Sequence, residues 1–463
     1  MFQIYMKNKK LIFISIFLIC FIVISAIADV YYFDRVLHKE PDMKGWICYC
    51  DFLVFWIASH HLHYHILVLP NKKMAFTPFL LFNKKLREKA KPASAKDQHP
   101  VYDKKEEFYH FRYSPFAAFL MLPFGKTYYP STAFAAWQVI LNLLFLVCLI
   151  LLKQLLQKDF ALNDKYTYII LGAGFFATLR FYLLNIFHGQ TNILITLLFV
   201  LFLLAYLKDK EILCGILFAF ILQFKLFFLP MLVYFLIIGK RKLIISSVIS
   251  FAGMLIVPAS LLGLQKTIYL TQKWFEILNM SVTSQLLNYK NESLVYTIGR
   301  IFANNASFMK LVSPDKLFFA LGAVFTLAAY IALFLFRRSL GNKKNTEYKY
   351  LELSLLLMAS IIFSPIAWKA YFITLIIPFS VTLLLILKTP KTKRKIPFIA
   401  LGVFVVSSGI IGTDLTKFIP RLNALPFQNI SFGTCFLAFA AIYAYKQNLQ
   451  STKATCLDSK GCK

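Results

Sequence analysis

Asp51 sits within Trp46-Ile47-Cys48-Tyr49-Cys50-Asp51-Phe52-Leu53-Val54-Phe55-Trp56, a run that is otherwise aromatic and apolar. A carboxylate beside a bilayer surface is costly, which makes this acid a candidate functional group. Asp is also a favoured N-cap, and capping an interfacial helix accounts for it about as well on this stretch alone. Other polar groups could work with it. They are His188-Gly189-Gln190-Thr191-Asn192, Lys225 within an apolar run, Asn291-Glu292-Ser293-Leu294 with Arg300 downstream, and Ser364-Pro365-Ile366-Ala367-Trp368-Lys369. A carboxylate can take a hydroxyl proton as a general base. Fixed cations can meet the negative charge that develops on a departing oxyanion. Each motif alone has a plainer explanation, because turns are commonly polar and lysine routinely snorkels. What matters is whether the chain carries them to the same side.

The 463 residues are 59% hydrophobic and 16% charged, with mean hydropathy +0.65. Soluble domains carry roughly 25% charged residues, so the chain reads as an all-α polytopic membrane protein with one integral membrane domain over residues 1–463. Its formal net charge is +30. In a soluble protein that excess would point to nucleic acid. Here it lies mostly in short loops between apolar segments, where it signals topology and a contact with anionic membrane lipids. Membrane lipids are therefore expected partners and nucleic acid is not. The 8 cysteines are scattered, with no paired CxxC spacing.

Residues 11–28 are continuously apolar behind Lys7, Lys9 and Lys10. Ser25-Ala26-Ile27-Ala28 resembles a signal-peptidase site, but the run exceeds the roughly 7–15 residues of a signal-peptide core. We read it as a retained anchor with the N-terminus in the cytoplasm of a plasma (inner) membrane. Residues 29–130 form a first non-cytoplasmic loop holding Asp51, a Lys-rich stretch from Asn71 to Lys105, and His60-His61-Leu62-His63-Tyr64-His65. The histidines are read as a wet interfacial turn rather than a metal site, because no second ligand cluster accompanies them. Arg112-Tyr113-Ser114-Pro115-Phe116 opens an apolar piece too short to span. Spans are expected near 131–152, 166–185, 191–207, 243–263, 317–336, 350–364, 370–387, 396–411 and 430–446. Residues 212–238, interrupted by Gln223, Lys225 and Pro230, read as a broken pair that dips into the bilayer and returns. A second non-cytoplasmic loop covers 264–316, and 447–463 is a cytoplasmic tail. The whole is a bundle of about 10–12 transmembrane helices with re-entrant or interfacial helices. In this arrangement the short basic loops share one face and the polar motifs share the other.

A polar chamber at lipid depth suits a donor that is itself anchored in the membrane and energised by a phosphate ester. No P-loop or Rossmann fingerprint marks a soluble nucleotide donor, and no nucleophile elbow is present. No Asp-x-Asp pair in the first loop calls for a divalent metal, and no cofactor is expected.

At Asp51-Phe52, Tyr113-Ser114-Pro115-Phe116, Gly189-Gln190-Thr191-Asn192, Lys225, Asn291-Glu292-Ser293-Leu294 with Arg300, and Ser364-Pro365-Ile366-Ala367-Trp368, the chain resembles glycosyltransferase family 87. These are the polyprenol-phosphate-mannose-dependent mannosyltransferases of the GT-C superfamily, and the pieces run in the family's order over roughly residues 11 to 390. The resemblance implies a GT-C-like bundle and an inverting transfer from a polyprenyl-phosphate sugar donor to a glycolipid or glycan acceptor, with Asp51 as general base. It implies that Gln190, Asn192, Asn291, Trp368 and Tyr113 line the sugar or acceptor site, and that Lys225, Arg300, His188 and Lys369 meet the phosphate. Relatives often carry a His shortly after the tryptophan, where this chain has Lys369, Ala370 and Tyr371; Lys369 would then supply that cation. A transporter or flippase of lipid-linked sugars would also want such a chamber. However, no inverted repeat is seen, and the motifs gather at the rim rather than the midplane. The missing histidine also leaves an inactive relative as a reading.

Overall fold

A computed structural model describes Phe52, Phe55, Ala58, Ser59 and residues 112–126, 130–285, 291–295, 314–341, 345–410 and 430–458. Asp51, Arg300 and the His60–His65 cluster lie outside the described residues, as do the expected anchor over 11–28 and most of the first loop. Among the described residues the chain is helical, with no strand. The all-α polytopic reading holds. Among the described residues five helices are long and apolar enough to cross a membrane: Thr132–Phe160, Asp164–His188, Arg241–Leu262, Phe319–Ser339 and Lys369–Lys388. Shorter apolar helices fill the space between them.

The short piece after Tyr113 forms α1 (Pro115–Leu120) and α2 (Leu122–Gly125). Ser114 caps α1 by accepting a hydrogen bond from the Ala117 N–H, and Pro115 follows at the first helical position, where a missing N–H costs nothing. Then come α3 (Pro130–Phe160), α4 (Asp164–His188) and α5 (Asn192–Leu207). Helix α6 (Glu211–Phe224) is broken at Lys225, whose backbone leaves helical geometry at φ −140° and ψ 87°. A 3-10 turn (Leu226–Phe228) and α7 (Met231–Ile237) bring the chain back. The return is visible in the ion pairs: Lys240 Nζ, just past α7, lies 3.0 Å from Glu211 Oε1 at the start of α6. The expected dip and return is therefore present, with Lys225 at its tip.

Helices α8 (Arg241–Met254) and α9 (Ile256–Leu262) lead into α10 (Leu264–Gln285), so the opening part of the expected loop 264–316 is helical. Helices α11 (Pro314–Ser339), α12 (Thr346–Ile362), α13 (Ile376–Lys388), α14 (Lys395–Val405) and α15 (Ile430–Asp458) complete the bundle. α12 and α13 are buried along nearly their whole length. Helices α8 and α11 instead expose Val248, Ile249, Phe319, Val324 and Leu335. A row of exposed aliphatic and aromatic side chains on a helix flank is what contact with lipid requires.

Ion pairs gather the basic loops at one end. Lys153 pairs with Asp164, Lys349 and Lys240 with Asp209, Lys388 with Glu347, and Arg337 with the buried Glu352. Glu352 also accepts hydrogen bonds from Tyr206 Oη (2.5 Å) and Tyr234 Oη, tying α5, α7, α11 and α12 together. The other end holds the α4–α5 turn, the Lys225 break and the passage from α12 to α13.

Candidate functional site

The passage from α12 to α13 is the hub of this second end. Backbone buried outside a helix must find partners, and here other motifs supply them. Asn291 Nδ2 donates to the Pro365 carbonyl at 2.8 Å, and Asn291 Oδ1 accepts from the Ala367 N–H at 2.9 Å. The Glu292 N–H donates to the Ala367 carbonyl at 2.8 Å. Asn185 Nδ2, from the last turns of α4, donates to the Ala370 carbonyl at 2.9 Å. Ser431 Oγ, at the start of α15, donates to the Glu292 carbonyl. Residues far apart in sequence are thus fastened to one turn.

Asn291 is buried, and its amide meets the Pro365 and Ala367 backbone. In this structure it fixes the shape of the turn. Beside it, Asn192 Nδ2 donates to Asn185 Oδ1 (3.0 Å) and to Gln190 Oε1 (2.7 Å). These three amides form a row at the α4–α5 turn. That turn depends on Gly189, which has φ +59°, a left-handed value. A Cβ there would also come within 2.6 Å of Phe52 Cβ. Trp137 Nε1 donates to the Gly189 carbonyl at 2.9 Å. His188 closes α4 at the same turn and is half-buried. Phe52, the chain neighbour of Asp51, therefore lies directly against the Gly189 turn. Phe55 reaches the next motif, its ring 4.2 Å from that of Tyr113.

Lys225 is buried, with Nζ 4.1 Å from the centre of the Tyr371 ring and 5.3 Å from that of Tyr113. The Phe227 ring stacks on that of Tyr371, 5.2 Å between centres. The faces of aromatic rings attract a cation without neutralising it. Lys369 opens the 3-10 turn Lys369–Leu375, and its Nζ lies 3.9 Å from Glu292 Oε1. Trp368 precedes it and is half-buried.

The structure therefore brings together Tyr113, His188, Gln190, Asn192, Lys225, Asn291, Trp368 and Lys369 at one end of the bundle. Asn185, Glu292 and Tyr371 are additions to the set of site residues. A sequence cue existed for Asn185, an amide in an otherwise apolar stretch of α4. For the aromatic role of Tyr371 there was none, since it comes from a fold-dependent contact with Lys225. An apolar groove opens nearby between α8–α9 and α10, lined by Ala252, Leu255, Ile256, Leu264, Ile268 and Phe275. Helix α1, which begins two residues after Tyr113, packs on both α9 and α10. Trp274 of α10 donates its indole N–H to the Arg112 carbonyl at 3.1 Å. Among the described residues no group of three His, Cys, Asp or Glu side chains could hold a metal ion.

The family model for glycosyltransferase family 87 matches residues 111–365, more than half of the chain, and the protein belongs to that family. It is therefore a membrane glycosyltransferase. No curated protein and no solved structure matches the chain.

Proposed function

We propose that the protein transfers a hexose, mannose on the family's pattern, from a polyprenyl-phosphate donor to a glycolipid or glycan acceptor on the non-cytoplasmic face of the plasma membrane. Asp51 takes the proton of the acceptor hydroxyl. The acceptor oxygen bonds to the anomeric carbon as the bond from that carbon to the phosphate oxygen breaks, with inversion. Polyprenyl phosphate leaves with the bonding electrons, and Lys225, Arg300, His188 and Lys369 meet its charge. Gln190, Asn192, Trp368 and Tyr113 line the sugar or acceptor side, with Asn291 shaping the turn behind them. The groove between α8–α9 and α10 suits the prenyl chain, since its walls are apolar and α1 links them to Tyr113.

The observation that carries this reading is Lys225. It is a buried cation between two aromatic rings at the tip of a broken helix, on the end of the bundle where the family's motifs meet. The test uses membranes containing the protein, a labelled polyprenyl-phosphate mannose and an acceptor extract. The parent is expected to form a glycosidic bond, and Asp51→Asn to lose about 10²–10⁴-fold in rate, the range of general-base contributions. Equal transfer by both would remove Asp51 from the role of base. Movement of substrate without a new glycosidic bond would mark a transporter instead.

A further inference from the structure

We propose that Glu292 is a positioning residue whose carboxylate holds the Lys369 ammonium ready for the lipid phosphate. This rests on reading Lys369 as a phosphate ligand. The two side chains are 3% and 12% exposed, and their charged atoms are 3.9 Å apart. That is longer than a hydrogen bond but close enough for strong attraction away from water.

The two partners are held very differently. The Glu292 backbone is fixed on both sides, its N–H donating to Ala367 O and its carbonyl accepting from Ser431 Oγ. Its Oε2 accepts from the Ile430 N–H at 3.4 Å, so α15 helps to hold the carboxylate. Lysine carries its charge on a flexible stem with four rotatable bonds. The fixed acid therefore decides where the mobile ammonium rests. The same acid offsets the Lys369 charge while no phosphate is present. An arriving phosphate can then share Lys369 with Glu292.

A purely structural role, in which Glu292 only staples α15 to the α12–α13 turn, predicts something else. The test uses the full-length protein in nanodiscs and a synthetic polyprenyl phosphate as probe, reading both affinity and melting temperature. Glu292→Gln should leave the protein folded, because the backbone bonds remain and the amide oxygen can still accept from Ile430, and whatever melting temperature the stranded Lys369 ammonium costs should return in Glu292→Gln/Lys369→Gln. Affinity for polyprenyl phosphate should fall about tenfold, the scale of one contact to a charged group. The double variant Glu292→Gln/Lys369→Gln should bind no more weakly than Lys369→Gln alone. Glu292→Asp, which keeps the charge but withdraws it by one methylene, should give a smaller loss that also vanishes in the Lys369→Gln background.

Additive losses, or an affinity unchanged by either Glu292 substitution, would overturn the pairing. A parent protein that does not bind polyprenyl phosphate would overturn both this proposal and the phosphate role of Lys369. A parent that binds it but transfers no sugar would overturn the transferase reading and leave the pairing intact.

Discussion

Lys225 shows how a single residue type can serve two needs at once. Its charge would be expelled from an apolar helix pair without compensation, yet Tyr113 and Tyr371 hold it by their ring faces. Replacing Lys225 with Met keeps the stem and removes the charge. The transfer rate should then fall by about 10²-fold, the cost of losing one preorganised charge stabiliser, with little loss of folded protein. Tyr371→Leu should give a smaller rate loss, because the cation remains but is less well placed. Steady-state kinetics on both variants, with the polyprenyl-phosphate donor varied, checks this; an unchanged rate in Lys225→Met would remove the lysine from the reaction. Gly189 makes a sharper case. Its left-handed backbone costs another residue roughly 1–2 kcal/mol, and Phe52 leaves no room for a methyl group. Gly189→Ala should therefore lower the melting temperature and separate the Phe52 segment from the α4–α5 turn.

At the scale of elements, the sequence was most legible where charge and length decided the outcome. The dip and return over 212–238 could be read because basic residues flank both ends. Lys240 beside Glu211 then placed those ends together. The role of Asn291 was less legible. A polar residue in an outer loop resembles a ligand-binding group, and only the folded chain reveals that the turn at Pro365 and Ala367 meets its amide. That contact links residues more than seventy apart, and no local pattern encodes it. Asn291→Ala should leave buried carbonyl and N–H groups unmet. The expected cost is about 1–3 kcal/mol for each unsatisfied group, seen as a lower melting temperature together with lost transfer. On the opposite face, Asp209 is largely exposed. The hydrogen bond from Lys349, helped by Lys240, holds its carboxyl below the ordinary carboxylate range. A lowered acid stabilises the fold above the unfolded carboxylate value and loses that contribution as pH falls through its own lower one. Because the pair is exposed, Asp209→Asn should cost under about 1 kcal/mol, measured by melting at neutral pH, and the difference from the parent should vanish in acid.

The molecule as a whole is polarised between a charge-laced end and an amide-lined end, and the two respond differently to substitution. Glu352 is fully buried and serves Arg337, Tyr206 and Tyr234 together. Glu352→Ala would strand the guanidinium and two hydroxyls, and removing one partner of a buried pair costs about 3–5 kcal/mol. Thermal unfolding should register that loss, while donor affinity in the surviving folded fraction should not change. Cysteine labelling addresses the orientation that the basic loops imply: Cys48 should react from outside and Cys456 only from inside. The membrane class and the two-ended arrangement were written in composition and charge. The convergence on the α12–α13 turn was not, because it depends on helix lengths and crossings that no motif states. The return hairpin of α6 and α7 has a mechanical corollary. Its base is clamped by Lys240 and Glu211, and its tip carries Lys225 some 21 Å away by helix rise, so it is a lever held at both ends. A slight tilt at the root is carried along it and shifts Lys225 against the Tyr113 and Tyr371 rings that hold the tip. Loosening that root with Lys240→Ala should therefore blur the aim of a cation it never touches, and slow the reaction from the far side of the bilayer.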